Sequence, residues 1–344
     1  MTLSRDEIAQ SAGYIASLQL PSGMIPWYPG GHCDPWNHVE TAMALSVSGR
    51  LREAELAFQW LVNRQRPDGS WHNYYQSDGS VEDAKLDTNV CAYIATGVFH
   101  HFTLTGDRGW LHHLWPTVER ALDWVLDLQT PRGEIIWARH VDGKPWSYAL
   151  LTGCSSICHS LRCGVALAEL CGNDRPDWEL AAVQLADVIC NEPRAFEPKT
   201  RWAMDWYYPV LGGAITGPTA DRRLESRWST FVMDGFGVRC VDNEPWVTAA
   251  ETAECAIAHA VAGRTDEAER LLDWTRAHRL DDGSYWTGIV YPSKVTFPDR
   301  ERSAYTAAAI ILADDLIGRK SAASGLFLGE HLPVVTPIAE LDEH

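Results

Sequence analysis

No apolar run in the 344 residues approaches the roughly 18–20 needed to cross a bilayer. The first residues, Met1 to Glu7, read as the polar start of a helix, without the basic and then apolar stretches of a signal peptide. Positive charge is short as well. Lys and Arg number 29 against 46 Asp and Glu, a formal net charge of -17. Nucleic acid, whose phosphates demand a basic face, is therefore an unsuitable partner, and so are anionic membrane surfaces. Solubility alone is a sufficient reason for the charge. The nine cysteines include no C-x-x-C pair and no two-knuckle zinc spacing. They read as small buried hydrophobes in a reducing cytoplasm. Cys255 and His259, four apart, could share a metal, but two ligands do not make a zinc site. No P-loop, G-x-G-x-x-G or G-x-S-x-G motif occurs. No metal and no organic cofactor is implied.

Tryptophan is abundant: sixteen residues, many beside Gly, Asp and Tyr. Indole offers a broad flat apolar face with one N–H donor, which suits sugar rings or isoprenoids. A repeat organises the chain. Gln19 to Gly23 precedes Trp27, Gln65 to Gly69 precedes Trp71, Gln129 to Gly133 precedes Trp137, and Arg279 to Gly283 precedes Trp286. Each unit reads as a helix end, a tight turn and a returning aromatic. Between these units lie short glycine turns at Gly49, Gly106, Gly172 and Gly263.

Two helix types alternate accordingly. Arg52–Arg64, Leu114–Leu128, Trp178–Cys190 and Thr265–His278 are amphipathic, with apolar residues at i, i+3, i+4 and i+7. Val39–Ser48, Thr88–Thr103, Ser155–Leu170, Val247–Val261 and Ala304–Leu316 carry small residues all round, as close-packed inner helices do. The fourth hairpin is less clear, with Asp205–Ile215 as its inner part and Arg222–Met233 as the next outer helix. The pattern predicts an all-α fold, an (α/α)6 toroid formed by a double ring of helical hairpins. It predicts one domain over residues 1–319 and a surface-lying tail over 320–344.

Carboxylates collect where the long loops meet the inner helices: Asp34, Asp87, Asp205, Asp242, Glu244, Glu251, Asp299 and Glu301. Asp34 and Asp87 stand at helix starts, where Asp is a favoured cap. Glu251 reads as lying a full turn inside an Ala/Thr/Cys-rich helix. A carboxylate there belongs either to a satisfied polar network or to a functional group lining a central cavity. Asp205 is flanked by Trp206, Tyr207 and Tyr208, as in a sugar subsite or in an aromatic belt closing the barrel mouth. Glycoside hydrolysis needs two carboxyl groups. Asp34 and Glu251, from opposite parts of the ring, are the candidate catalytic pair. The candidate substrate-binding set is Trp36, His38, Trp71, Asp87, Trp137, Asp205, Trp206, Tyr207, Trp246, Trp286 and Glu301.

The Gln-x-x-x-Gly…Trp units resemble the repeats of prenyltransferases and of squalene and terpene cyclases. The cyclase Asp-x-Asp-Asp motif is missing, and Cys240 and Asp242 stand in the reverse order to a prenyltransferase zinc set. A narrower resemblance rests on Trp36 to Leu45, Gly133 to Ala138, Met204 to Pro209 and Pro245 to Glu254. These stretches resemble the methylmannose-polysaccharide hydrolases, (α/α)6 α-endomannosidases, over roughly Ser4 to Leu316. The resemblance implies hydrolysis of internal α-(1→4) links in 3-O-methylmannose chains, by an inverting two-carboxylate mechanism. The substrate is a neutral oligo- or polysaccharide, which an acidic protein does not repel. Three rivals stand beside it: an isoprenoid enzyme, a non-catalytic glycan-binding toroid, and a lyase or epimerase on the same fold.

Overall fold

The structure is a computed structural model that describes residues 3–334. The chain alternates between an outer and an inner ring of helices. α1 (Arg5–Leu18) is outer and α2 (Pro35–Val47) inner. α3 (Leu51–Arg64) is outer, and α4 (Thr88–Ala92) with α5 (Ile94–Thr105) forms one interrupted inner helix. α6 (Arg108–Leu126) and α7 (Leu151–Leu170) follow, then α8 (Pro176–Asn191) and α9 (Ala203–Leu211). α10 (Gly217–Ser226) with the single turn α11 (Trp228–Phe231) precedes inner α12 (Ala249–Val261), and α13 (Thr265–Trp274) precedes inner α14 (Ala304–Gly318).

Each inner helix packs on the next, and α14 returns to α2, which closes the ring. Small residues make this possible. A Cβ on Gly97 would collide with Val39 Cγ1, so α2 and α5 approach through a glycine. The outer helices bury one stripe each: α3 buries Ala54, Ala57, Phe58, Trp60 and Leu61. The less clear fourth hairpin is complete but shorter than its sequence pattern suggests. α9 stops at Leu211 before Gly212 and Gly213, and Arg222–Met233 is split among α10, α11 and a strand.

The repeat has a physical purpose. Gln19 Nε2 donates to Gly23 O (3.0 Å) in its own turn and to Glu53 O (2.8 Å) in α3. Gln65 Nε2 does the same to Gly69 O (2.9 Å) and Thr117 O (2.8 Å), and Gln129 Nε2 to Gly133 O (2.9 Å) and Ala181 O (3.1 Å). Each turn is thus fastened to the next outer helix. In the last unit Arg279 replaces glutamine and reaches Gln10 Oε1 (2.7 Å) in α1, which completes the circle.

The long loops also carry strands, which the sequence reading did not anticipate. β1 (Tyr74–Tyr75) pairs with β2 (Val81–Asp83), and β3 (Leu86–Asp87) with β4 (Ala138–Arg139). A five-stranded antiparallel sheet is made by β5 (Val232–Met233), β6 (Gly237–Arg239), β7 (Trp246–Thr248), β8 (Gly288–Val290) and β9 (Val295–Thr296). At two or three residues each, these strands are too short to show an alternating pattern.

The segment after α14 is set deeper than the surface position expected of it. Ala323, Leu326, Phe327 and Leu332 are buried. Phe327 stacks on His159 of α7 (5.2 Å between centroids, 22°), and Arg162 Nε donates to Pro333 O (3.0 Å). Residues 335–344 of the expected tail lie outside the described residues. No helix among the described residues is long and apolar enough to cross a membrane.

Candidate active site

The inner helices start from long loops, so their N-termini share one face of the toroid. A cavity of about 360 Å³ opens there, lined by Trp27, Asp34, Trp36, Tyr74, Lys85, Asp87, Thr152, Tyr208, Glu251 and Tyr305 among others. Four of the residues expected from sequence meet in it: Asp34, Trp36, Asp87 and Glu251.

Asp34 caps α2, and Pro35 fits the first helical position. Its Oδ1 accepts from Asn37 N (2.9 Å), and its Oδ2 accepts from Trp27 Nε1 (2.7 Å) and Asn37 Nδ2 (2.7 Å). Burial pushes its carboxyl above the ordinary value, while the three N–H donors pull the other way. Asp87 caps α4 through Asn89 N (3.0 Å) and Val90 N (3.3 Å), and burial raises it too, against the nearby Lys85. Lys85 Nζ lies 3.9 Å from Asp87 Oδ2 and 4.1 Å from the centroid of the Trp137 ring.

Glu251 stands in the first turn of α12, at its very start rather than a full turn inside. It is half-buried. The Cys240 thiol donates to it and is pushed far up by burial and by that carboxylate.

Beneath the cavity lies a cluster the sequence reading missed. Glu254, one turn after Glu251, is buried and receives three phenols. Tyr207 donates to Oε2, and Tyr208 (3.2 Å) and Tyr305 (2.5 Å) donate to Oε1. Burial, and then the charge of Glu251, push Glu254 up to about 8. Glu40 on α2 takes the Tyr93 hydroxyl and is pushed up to about 7 by burial. Trp36 is stacked on Tyr93 (4.5 Å, 22°) and meets Tyr305 edge-on (5.6 Å). These acids and aromatics come from α2, α9, α12 and α14 and from the junction of α4 and α5. The only sequence signal was the density of Tyr around Asp205.

Other expected residues are placed elsewhere. Trp71 is fully buried, and its Nε1 donates to Leu61 O (2.9 Å). His38 is buried and held from both sides: its Nδ1 accepts from Ile25 N (3.2 Å) and its Nε2 pairs with Ala57 O (2.9 Å). Burial pushes it down to about 4, so it is a neutral structural ring. Trp206 is buried against Phe231 (5.6 Å, 16°), and Tyr207 is buried on Glu254. None of these four lines the cavity. Asp205 lies just behind it, with Oδ1 accepting from the lining Thr152 (2.8 Å). Trp137 borders it through Lys85 and through a hydrogen bond to Asp87. Trp246 donates to Phe297 O (3.0 Å) in the five-stranded sheet, Trp286 packs beside that sheet, and Glu301 accepts from Thr287 Oγ1 (3.0 Å).

Among the described residues, no group of three or more His, Cys, Asp or Glu side chains is placed to hold a metal ion. What the cavity offers is the carboxylates of Asp34 at the start of α2 and Glu251 on α12, which α14 alone separates in the ring rather than its full width as expected, a third beside a cation, and aromatic walls.

No family model matches the chain. Among solved structures, a glycosidase variant in complex with glucose superposes with a TM-score of 0.73 at 15% identity, covering 94% of this chain and 97% of its own. A mannosylglycerate hydrolase from Thermus thermophilus gives 0.68 at 14% identity, covering 89% and 99%. Both likenesses show the helical toroid alone. The MMP endo-(1,4)-3-O-methyl-alpha-D-mannosidase of Mycolicibacterium hassiacum is 49% identical over 331 residues, 96% of this chain and 91% of its own length. At that identity and coverage, the chain belongs to the family of this endomannosidase.

Proposed function

We propose that the protein hydrolyses internal α-(1→4)-mannosidic links of a 3-O-methylmannose polysaccharide, releasing shorter mannooligosaccharides. The observation that carries this reading is the meeting of Asp34 and Glu251 in one aromatic-walled cavity, in a chain so similar to an endomannosidase. O-methyl groups give each sugar extra apolar surface, and Trp27, Trp36 and Tyr74 offer flat faces to it.

Asp34 and Glu251 share the parts of base and acid: one draws a proton from the attacking water, and the other gives a proton to the leaving oxygen. Three N–H donors favour the anion of Asp34, and burial opposes it. The water attacks from the face opposite the leaving group, so the anomeric configuration inverts. The cysteines form no disulfide among the described residues, which suits a reducing compartment such as the cytoplasm.

The test is a product assay. The protein is incubated with methylated and unmethylated α-(1→4)-mannooligosaccharides, with maltooligosaccharides and squalene as controls, and products are read by mass spectrometry and for anomeric form. Short fragments from the methylmannose chains are expected. Loss of about 10²–10⁴-fold in kcat is expected for Asp34→Asn and for Glu251→Gln. Intact methylmannose chains would sink the substrate assignment, and full activity in either variant would sink that residue's role.

A further inference from the structure

A second groove, of about 490 Å³, opens beside the cavity. It is formed where two long loops meet, the one before α7 and the one before α9. The loops are joined by backbone: Ala149 and Phe196 form a parallel bridge, and Glu197 N donates to Ala149 O (2.9 Å). Ser147, Tyr148, Arg194 and Glu197 line it. It shares no lining residue with the cavity, yet an aromatic path connects the two. Trp137 touches the cavity through Lys85 and Asp87. Tyr148 is stacked on Trp137, with 5.4 Å between centroids and 19° between planes.

We propose that this groove is a distal binding site for the uncleaved arm of the same neutral, methylated hexose chain, with Tyr148 as its sugar platform. The proposal rests on the endohydrolase reading above. Three observations select this occupant. Trp137 and Tyr148 lie as one stacked pair between the cavity and the groove, and Tyr148, which lines the groove, offers it an aromatic surface for an apolar sugar face. Its charges are balanced in place: Arg132 Nε donates to Glu134 Oε2 (3.0 Å), and Arg194 and Glu197 stand as donor and acceptor at the lip. A hydroxyl-rich neutral chain uses both, whereas Arg132 and Arg194 set against Glu134 and Glu197 give a polyanion no net attraction. The floor is also held by main-chain hydrogen bonds, so no loop has to be ordered when a chain is bound. An enzyme that cuts within a chain must hold sugars on both sides of the scissile bond, and this groove supplies one side.

The experiment compares two substrates, a long methylmannose polysaccharide and the shortest fragment that wild type cleaves. Two variants are used. Tyr148→Ala removes the platform. Ser147→Trp, at an exposed position in the lining, puts bulk into the groove. The readout is the ratio of kcat/KM on the long chain to that on the short one. A drop of about ten-fold in this ratio is expected for both variants, which is about 1.4 kcal/mol of lost chain binding. A ratio unchanged in either variant overturns the proposal, because a structural defect lowers both rates together. If wild type cleaves neither substrate, it is the endohydrolase reading that fails. Binding of the long chain to Glu251→Gln with and without Ser147→Trp, followed by calorimetry, then tests the groove alone: weaker binding with the groove filled supports it, and equal affinity overturns it.

Discussion

Glu254 carries a signature that can be measured without substrate. Its carboxyl is pushed up to about 8 in the folded protein, from an ordinary value of 4.5. Between those values the folded state holds more protons than the unfolded one, so stability falls as pH rises. Six buried imidazoles, those of His38, His100, His101, His159, His259 and His278, are pushed down to about 3–4, and they contribute in the opposite sense until the unfolded chain has lost those protons, about a pH unit above 6.5. The part due to Glu254 is therefore read as the difference between wild type and Glu254→Gln, in which the imidazoles cancel. From about pH 6.5 to 8 the stability of Glu254→Gln should rise relative to that of wild type in thermal melts. An equal slope in the variant would show that Glu254 is ionised throughout. At this scale, Asp34 and Asp87 were legible because an acid before an inner helix must cap it and must face the loops. The Glu254 cluster was not, since Tyr207 and Tyr208 come from α9 and Tyr305 from α14, far apart in the chain. His38 and Trp71 suggested binding by their chemistry, but burial decided otherwise, and burial is a property of the ring and not of the motif.

The elements explain why the repeat exists. A glutamine at a turn looks like solvent-facing punctuation, yet here it bonds two carbonyls of different segments. Gln65→Leu leaves the Gly69 and Thr117 carbonyls without that donor and should cost about 1–3 kcal/mol, read from denaturant melts. Gly69→Ala should cost more. Gly69 has φ +96°, and a Cβ there would collide with Arg120 O, so the turn must lift from α6. The sheet offers a second case that bears on chemistry. Thr252, next to Glu251, accepts from Val238 N (2.9 Å) and donates to Thr248 O (2.6 Å), which ties β6 to the first turn of α12. A Cβ on Gly237 would come within 2.6 Å of Thr252 Oγ1. Gly237→Ala should lower both the melting temperature and kcat, because it moves the turn that carries Glu251. The helices and their alternation were readable from period and composition. The strands and the atoms of the staples were not, since both depend on what lies opposite in space.

For the molecule as a whole, the described tail matters more than its loop-like sequence suggested. Leu326 and Phe327 are core residues contributed from outside the helical repeat. Phe327→Ala should destabilise by about 3–5 kcal/mol, measured by denaturant unfolding, although Phe327 does not line the cavity. A melt unchanged from wild type would mean that the tail is an ornament. Ring closure through Arg279 and Gln10 joins the last hairpin to the first helix, so cutting either contact should weaken both ends of the chain together.

The packed interior of this toroid has a topological meaning. Trp36 on Tyr93, Thr96 beside Ser160 (3.0 Å) and Phe327 on His159 are buried contacts between inner helices or between α7 and the tail. A ring whose hole is stoppered cannot be threaded like a bead. A polymer can only be laid across the open rim, gripped anywhere along its length and released by lifting both halves away. Such an enzyme needs no free chain end.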